Sequence, residues 1–319
     1  MKILFITSTR IGDAVLSTGL LRYLHGLYPD ARFTIACGPI PAPLFAAVPG
    51  LERIIVLEKK SYARHWLALW VRCAPRFWDL IVDLRRSAMP YVLLARARRK
   101  LGGTREGHQV QRLATVFGLD PPPAPQLWIG AAEAAEAAKL IPPGGPVLGI
   151  GPTANWLPKT WPADRFAALA ARLTAPDGLL AGARVAVFGE ASERAAAQPV
   201  IDAIPADRSI DLVGRIGLAT VAACLVRLSM YIGNDSGLMH MAAAVGTPTL
   251  GLFGPSPPEV YAPWGPHTAV AATTIPFKEL TAAPGFDHRD TKCLMESLSV
   301  DAAALAARAL WYRRKGAVA

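Results

Sequence analysis

Several protein classes are recognised by short pairings and long runs that this chain of 319 residues does not have. Its four cysteines, Cys37, Cys73, Cys224 and Cys293, stand too far apart for a C-x-x-C pair, so neither a zinc site nor a disulfide framework is expected and buried, reduced thiols are. The six histidines are scattered and no two aspartates have D-x-D spacing, so no metal site is expected. No apolar run reaches the roughly 18 to 20 residues of a spanning helix. Arg10 and Asp13 interrupt the first such run, and Arg72 and Arg76 break up the Trp-rich one. The apolar stretch at Met1 to Ile6 is too short for a signal peptide and leads into Arg10 and Asp13 rather than a cleavage site. It reads as the buried first strand of a cytoplasmic protein. The loop after that strand lacks G-x-G-x-x-G, which gives a nicotinamide or flavin dinucleotide no support; no cofactor is expected.

What is present is apolar sequence in short, punctuated runs. A hydrophobic content of 52% excludes disorder as the main state, and the length suits two domains of about 150 residues each. Runs at 2–7, 33–36, 54–57 and 80–84 read as buried parallel strands. Between the first two, Val15, Leu16, Leu20, Leu24 and Leu27 recur at helical spacing, which predicts a helix over 14–27. Pro121, Pro122, Pro123 and Pro125 make a stiff linker. A second unit follows, with strands at 146–150, 184–188, 229–232 and 249–253 and helices at 163–173 and 218–228. Strands alternating with helices give an α/β chain of two doubly wound parallel sheets. The expected division is 1–125 and 126–299, with a last helix over 300–314, basic at Arg313, Arg314 and Lys315, returning to the first domain.

The net charge of +10 is concentrated. Between Arg53 and Arg112 stand fourteen Lys and Arg against four Asp and Glu, which is the whole excess. Such a segment marks a surface for an anionic partner. Within it the stretch 61–74 places Tyr62, Trp66, Leu69, Trp70 and Cys73 on one helical face before Pro75, with Arg64 and Arg72 elsewhere. A basic amphipathic helix carrying Trp suits a bilayer interface; the same aromatics could equally pack on the core of the first domain.

The stretch Gly233-Asn234-Asp235-Ser236-Gly237-Leu238-Met239-His240 reads as strand, turn and helix, with Asp235 or Ser236 as cap and Gly246 and Pro248 as the stop. Its turn offers backbone N–H groups at a helix start, where anions bind, and its glycines admit a ligand to the backbone. Asp235 and His240 add an acceptor and a donor on either side.

This octapeptide, with Gly246 to Pro248 and Phe253 to Pro255, resembles the donor-binding motif of glycosyltransferase family 9, the heptosyltransferases of lipopolysaccharide core synthesis. The resemblance extends over most of the chain and is strongest at 10–21, 151–169 and 214–258. It implies the two-domain architecture called GT-B, two Rossmann-like domains facing across a cleft. It also implies an inverting, metal-independent transfer of heptose from ADP-heptose to an inner-core acceptor at the cytoplasmic face of the inner membrane. The partners would be a nucleotide sugar, an anionic lipopolysaccharide acceptor and the anionic membrane surface, with no nucleic acid.

In the motif Arg10-Ile11-Gly12-Asp13 the family carries its catalytic aspartate at Asp13, which would act as general base; by position alone Asp13 would cap the first helix. Arg10, Gly12, Arg64 and Arg85 are the acceptor candidates. The segment 151–162 resembles the family's phosphate loop, with Lys159 to neutralise the departing diphosphate and Asn155 where relatives often carry a hydroxyl. Glu193, in preference to Glu190, falls where the family meets the nucleoside, Ile216 where it lines the base pocket, and Asp235, Ser236, Gly237 and His240 complete the donor site. A relative using another nucleotide sugar, a GT-B epimerase, and a non-catalytic nucleotide-sugar or nucleic-acid binding module are the competing readings. A binder has no use for a base at Asp13.

Overall fold

Two parallel sheets carry the chain in the computed structural model, which describes residues 1–59, 61–103, 106–282 and 292–316. Lys60 and Arg105 of the basic segment lie outside the described residues, as does the Lys315 side chain. The first unit, Met1–Gly130, contains β1 (Lys2–Ile6), α1 (Ile11–Leu27), β2 (Arg32–Cys37), β3 (Leu51–Val56), α2 (Arg64–Cys73), β4 (Trp78–Asp83), α3 (Met89–Val92), β5 (Ala95–Lys100) and α4 (Gln109–Ala114). Its sheet runs β3-β2-β1-β4-β5, every pair parallel.

The second unit begins at Ala131. It contains α5 (Ala131–Leu140), β6 (Val147–Gly151), α6 (Ala163–Thr174), β7 (Arg184–Val187), α7 (Arg194–Asp202), β8 (Ser209–Asp211) and α8 (Leu218–Val226). After these come β9 (Met230–Asn234), α9 (Gly237–Ala244), β10 (Thr249–Phe253), α10 (Pro258–Tyr261), β11 (Thr268–Ala272), α11 (Phe277–Ala282) and α12 (Val300–Gly316). Its sheet order is β11-β10-β9-β6-β7-β8, again all parallel.

In both sheets the strand order reverses beside the first strand of the unit, between β1 and β4 and between β6 and β9. At such a point the two chains leave toward opposite faces of the sheet, and the gap between them at the carboxyl ends is where open α/β sheets take ligands. The loops after β1, β4, β6 and β9 are therefore the ones to examine for chemistry.

The apolar runs form strands because they are covered on both faces. Leu4, Ile6, Ala36, Ile55, Leu69, Cys73, Trp78 and Ile81 form one cluster of the first unit. Trp161 and Phe166 meet edge to face, 5.0 Å between centroids, in the core of the second. Val15, Leu16, Leu20 and Leu24 of α1 are buried as their spacing predicts, each side chain stabilising the fold by about 1.5 to 3 kcal/mol over exposure; Leu27, at the end of α1, is exposed. Cys37, Cys73 and Cys224 are buried, Cys293 half-buried, and none is bonded to another. Burial pushes the Cys37 thiol up to about 12.

Three strands escaped the sequence reading. β5 carries Arg and Lys at four of its six positions, β8 is three residues long, and β11 is an edge strand rich in Ala. The proline linker also differs from a free spacer. It belongs to the first unit, where Gln126 donates its N–H to Thr18 Oγ1 (2.9 Å) and Pro123 lies against α1. The last helix departs from expectation too. It was expected to return to the first domain; Ala303, Ala304, Ala307 and Leu310 of α12 enter the core of the second unit, against α6, β10 and β11, and the helix belongs to that unit.

The contact of α1 with the linker is testable. A Cβ on Gly19 would stand 2.2 Å from the Pro123 carbonyl oxygen, a backbone atom with little room to move. Gly19→Ala should cost about 1 to 3 kcal/mol through this overlap despite alanine's better helix propensity, which a lowered urea midpoint would report.

Candidate active site

The first set of chemical groups surrounds the start of α1. Arg10 occupies the cap position with extended backbone, and no side chain caps the helix; Asp13 lies in the first turn. A carboxylate suits a helix N-terminus, but Asp13 is not the cap that its position alone would suggest. Burial pushes its proton affinity above the usual aspartate value, and Arg10, the Ser8 hydroxyl, Arg112 and Arg85 pull the other way without cancelling the effect.

Arg85 is held at the end of β4 by a buried carboxylate. Asp83 accepts N–H bonds from Arg85 (2.8 Å) and Ser87 (2.6 Å) and a hydroxyl bond from Ser87 (2.8 Å). The Arg85 guanidinium lies 5.6 Å from the centroid of Trp66 on α2. Of the acceptor candidates, Arg10, Gly12 and Arg85 thus gather near Asp13. Arg64 is exposed at the start of α2 and is not among the four groups that act most on it. Arg112 of α4, not singled out by the sequence reading, is one of those four.

The second set lies on the adjacent carboxyl ends of β9, β6 and β7. Lys159 Nζ is 3.5 Å from Asp235 Oδ2, and His240 Nε2 is 3.9 Å from Asp235 Oδ1, with all three side chains largely buried. Asp235 and Ser236 precede α9, whose cap position is Ser236, although the Ser236 hydroxyl makes no cap bond. Gly237 opens the helix and Gly246, at φ +84°, follows its end as expected. Below this turn the fully buried Tyr231 hydroxyl lies beside Ser236, and neither hydroxyl completes a hydrogen bond of normal geometry. Burial drives the Tyr231 pKa far up.

At the end of β7 the Glu193 carboxylate accepts from Thr153 Oγ1 (2.8 Å) and from the Glu190 N–H (2.9 Å). Glu193 therefore ties the loop after β6 to the turn after β7. Gly214, close to Ala191, brings the 213–217 loop with half-buried Ile216 to the same place. Asn155 is exposed in the loop after β6.

Asn234 is the residue whose role the sequence did not reveal. Its amide is completely buried, accepts the Trp161 N–H (3.0 Å) and donates to the Pro152 carbonyl (3.0 Å). One side chain on β9 thus holds both ends of the loop that carries Lys159. The only signal available was an amide next to Asp235, which reads as part of the motif.

A family model for glycosyltransferase family 9 (heptosyltransferase) matches residues 81–283, well over half of the chain, and spans the second set with part of the first unit. The chain belongs to glycosyltransferase family 9. It is similar to the lipooligosaccharide heptosyltransferase 2 of Haemophilus influenzae, 27% identical over 306 residues that cover 82% of this chain and 86% of that one. The lipopolysaccharide heptosyltransferase 2 of Salmonella typhimurium is likewise 27% identical over 304 residues, covering 82% and 85%. Among solved structures, the E. coli ADP-heptose lps heptosyltransferase II superposes with a TM-score of 0.76 at 21% identity, over 99% of this chain and 100% of that one. The E. coli heptosyltransferase WaaC with ADP does so at 0.74 and 17%, over 97% and 100%. These likenesses establish the GT-B fold, and family 9 membership makes the chain a glycosyltransferase.

Two expectations follow for this family 9 enzyme. Asn234→Ala leaves the Trp161 N–H and the Pro152 carbonyl without partners, at about 1 to 3 kcal/mol for each buried group. Urea unfolding should show the loss as a lowered midpoint. Asp13 works in the opposite direction. Its folded-state pKa is raised, so the folded protein holds that proton more tightly than the unfolded chain does, and stability falls as pH rises from the ordinary aspartate range through the raised value. Asp13→Asn should then be at least as stable as the parent at neutral pH, and a lowered melting temperature would show that the carboxylate is there for the fold.

Proposed function

We propose that this enzyme transfers a heptose from ADP-heptose to an inner-core acceptor of lipopolysaccharide, with inversion at the anomeric carbon, Asp13 as general base and no metal ion. The second unit takes the donor and the first takes the acceptor. Asp13 removes the proton of the acceptor hydroxyl as its oxygen bonds to the anomeric carbon. The bond from that carbon to the diphosphate oxygen breaks on the opposite side, and ADP leaves with the electron pair. The reaction places the enzyme at the cytoplasmic face of the inner membrane, where its acceptor is lipid-borne.

The observation that carries this reading is the half-buried Asp13 carboxylate near the carboxyl end of β1, its proton affinity raised while Arg10, Arg85 and Arg112 stand near it. A carboxylate is a better base as its pKa approaches the working pH, and the arginines offer an anionic acceptor its counter-charges. On the donor side, Lys159 and the N–H groups at the start of α9 meet the charge that develops on the leaving diphosphate. Asp235, already within reach of Lys159 and His240, accepts from sugar hydroxyls. Glu193 and Ile216 stand where the nucleoside would lie. The relatives named above support the sugar and the acceptor, and the solved WaaC complex supports ADP as the nucleotide.

The test is Asp13→Asn, which keeps size and hydrogen bonding but removes basicity. Turnover should fall by about 10² to 10⁴ with donor affinity nearly unchanged. In the parent, activity should drop on acidification through a pKa above the ordinary aspartate value, because only the ionised carboxylate accepts the proton, and this acid limb should vanish in the variant. Near-normal turnover would eliminate Asp13 as the base. Chelator should leave turnover intact, and an absolute requirement for added magnesium would refute the metal-free step.

A further inference from the structure

The outward side of α2 and α3 departs from what a core-packing helix would present. The α2 helix begins only at Arg64, since Tyr62 and Ala63 have positive φ (52° and 55°), and Tyr62 is 97% exposed rather than part of the helical face. Leu69 and Cys73 turn inward, with Trp66 packed against the core they join. Leu67 (61% exposed), Val71 (58%) and Trp70 (39%) turn outward, Trp70 and Val71 each lying one helical turn from Leu67.

Trp70 continues this stripe onto the next element. Its Nε1–H donates to the Val92 carbonyl (3.1 Å), and Tyr91 (71%), Val92 (51%) and Leu94 (67%) are exposed beside it. Six large apolar side chains therefore stand in water on one face of the first unit, a costly arrangement unless something covers them.

The charges around them have one sign. From Ser61 to Gly103 there are nine Lys and Arg against two acidic residues, Asp79 and Asp83. Asp83 is completely buried and Asp79 accepts the Lys2 N–H (2.7 Å). Arg64, Arg72, Arg96, Arg99 and Lys100 are exposed, and Lys100 Nζ reaches the Tyr91 hydroxyl (3.2 Å) at the edge of the apolar patch.

We infer that this face is a bilayer-docking surface, in which Leu67, Trp70, Val71, Tyr91, Val92 and Leu94 enter the headgroup and acyl boundary of an anionic membrane while the flanking Arg and Lys pair with lipid phosphates. Exposed aliphatic side chains, aromatic residues with a polar end and exposed cations are the three kinds of group that a membrane interface takes up. A nucleic acid would use the cations but offers nothing to the exposed aliphatic side chains. The inference builds on the reading of a lipid-borne acceptor. It names the surface by which the enzyme reaches that lipid, on the helix whose core-facing Trp66 meets Arg85, one of the arginines near the proposed base.

The test is cosedimentation with vesicles of phosphatidylglycerol and phosphatidylcholine in equal parts, and of phosphatidylcholine alone. The unmodified enzyme should pellet with the anionic vesicles, lose that binding as salt is added, and stay largely in solution with the neutral ones. Leu67→Gln, Val71→Gln and Leu94→Gln together should weaken anionic-vesicle binding by about tenfold or more, because the buried apolar area is lost. Donor affinity, melting temperature and turnover on a deacylated, water-soluble acceptor should be unchanged.

Partition of the triple variant equal to that of the parent would overturn the inference. So would equal binding of the parent to neutral and anionic vesicles, or a matched loss of turnover on the deacylated acceptor, which would make this face part of the sugar site. Failure of the proposed reaction is read separately: no transfer from ADP-heptose to either acceptor, whatever the vesicles show.

Discussion

Gly151 and Gly233 are register partners across β6 and β9, and the donor side of the molecule depends on that pairing. The Tyr231 hydroxyl fills the space next to both. A Cβ on Gly151 would stand 2.0 Å from it and one on Gly233 2.5 Å, so the two strand ends must be bare backbone. From this floor one loop departs toward Lys159 and the other toward Asp235, on opposite faces of the sheet, as the reversal of strand order requires. Asn234 then closes the gap by bonding both ends of the Lys159 loop. The Lys159 to Asp235 distance is a consequence of two glycines, a buried phenol and an amide, none of which carries charge.

The first unit solves a different electrostatic problem. A carboxylate partly withdrawn from water is disfavoured by lost hydration and favoured by nearby cations, and at half-buried Asp13 the first effect wins over three arginines and a hydroxyl. Of these arginines, Arg85 is held in place through its backbone, whose N–H bonds to the buried Asp83. Were the cations to win outright, Asp13 would be a firmly ionised and weak base. The balance leaves a carboxyl group whose proton affinity is raised, at the cost of some stability.

The elements that were readable from the sequence are those dictated by local chemistry. The β10 strand is bounded as the apolar run predicts, and α6 and α8 agree to within two residues, because apolar periodicity and punctuating Gly or Pro act over a few neighbours. β5 was not readable, since a strand of Arg and Lys on a sheet edge has no apolar run to announce it and exists because β4 offers it hydrogen-bond partners. The stretch around Trp66 and Trp70 was ambiguous for the same reason. Period alone groups the two tryptophans, whereas the packing of Leu69 and Cys73 rotates the helix so that one faces the core and the other the solvent.

By itself the sequence determined two doubly wound α/β units, the motif ending in His240, and the position of nearly all the positive charge, because spacing and composition are local properties of the chain. Only the tertiary structure decided that Arg112 joins Arg10 and Arg85 near Asp13, that Glu193 bonds Thr153, that α12 packs on the second unit, and that Asn234 is a clamp rather than one more residue of a motif. These are contacts between residues tens to well over a hundred positions apart in the chain, and no periodic signal encodes them. They follow from which strand ends become neighbours, and the sheet order, not the sequence, fixes that.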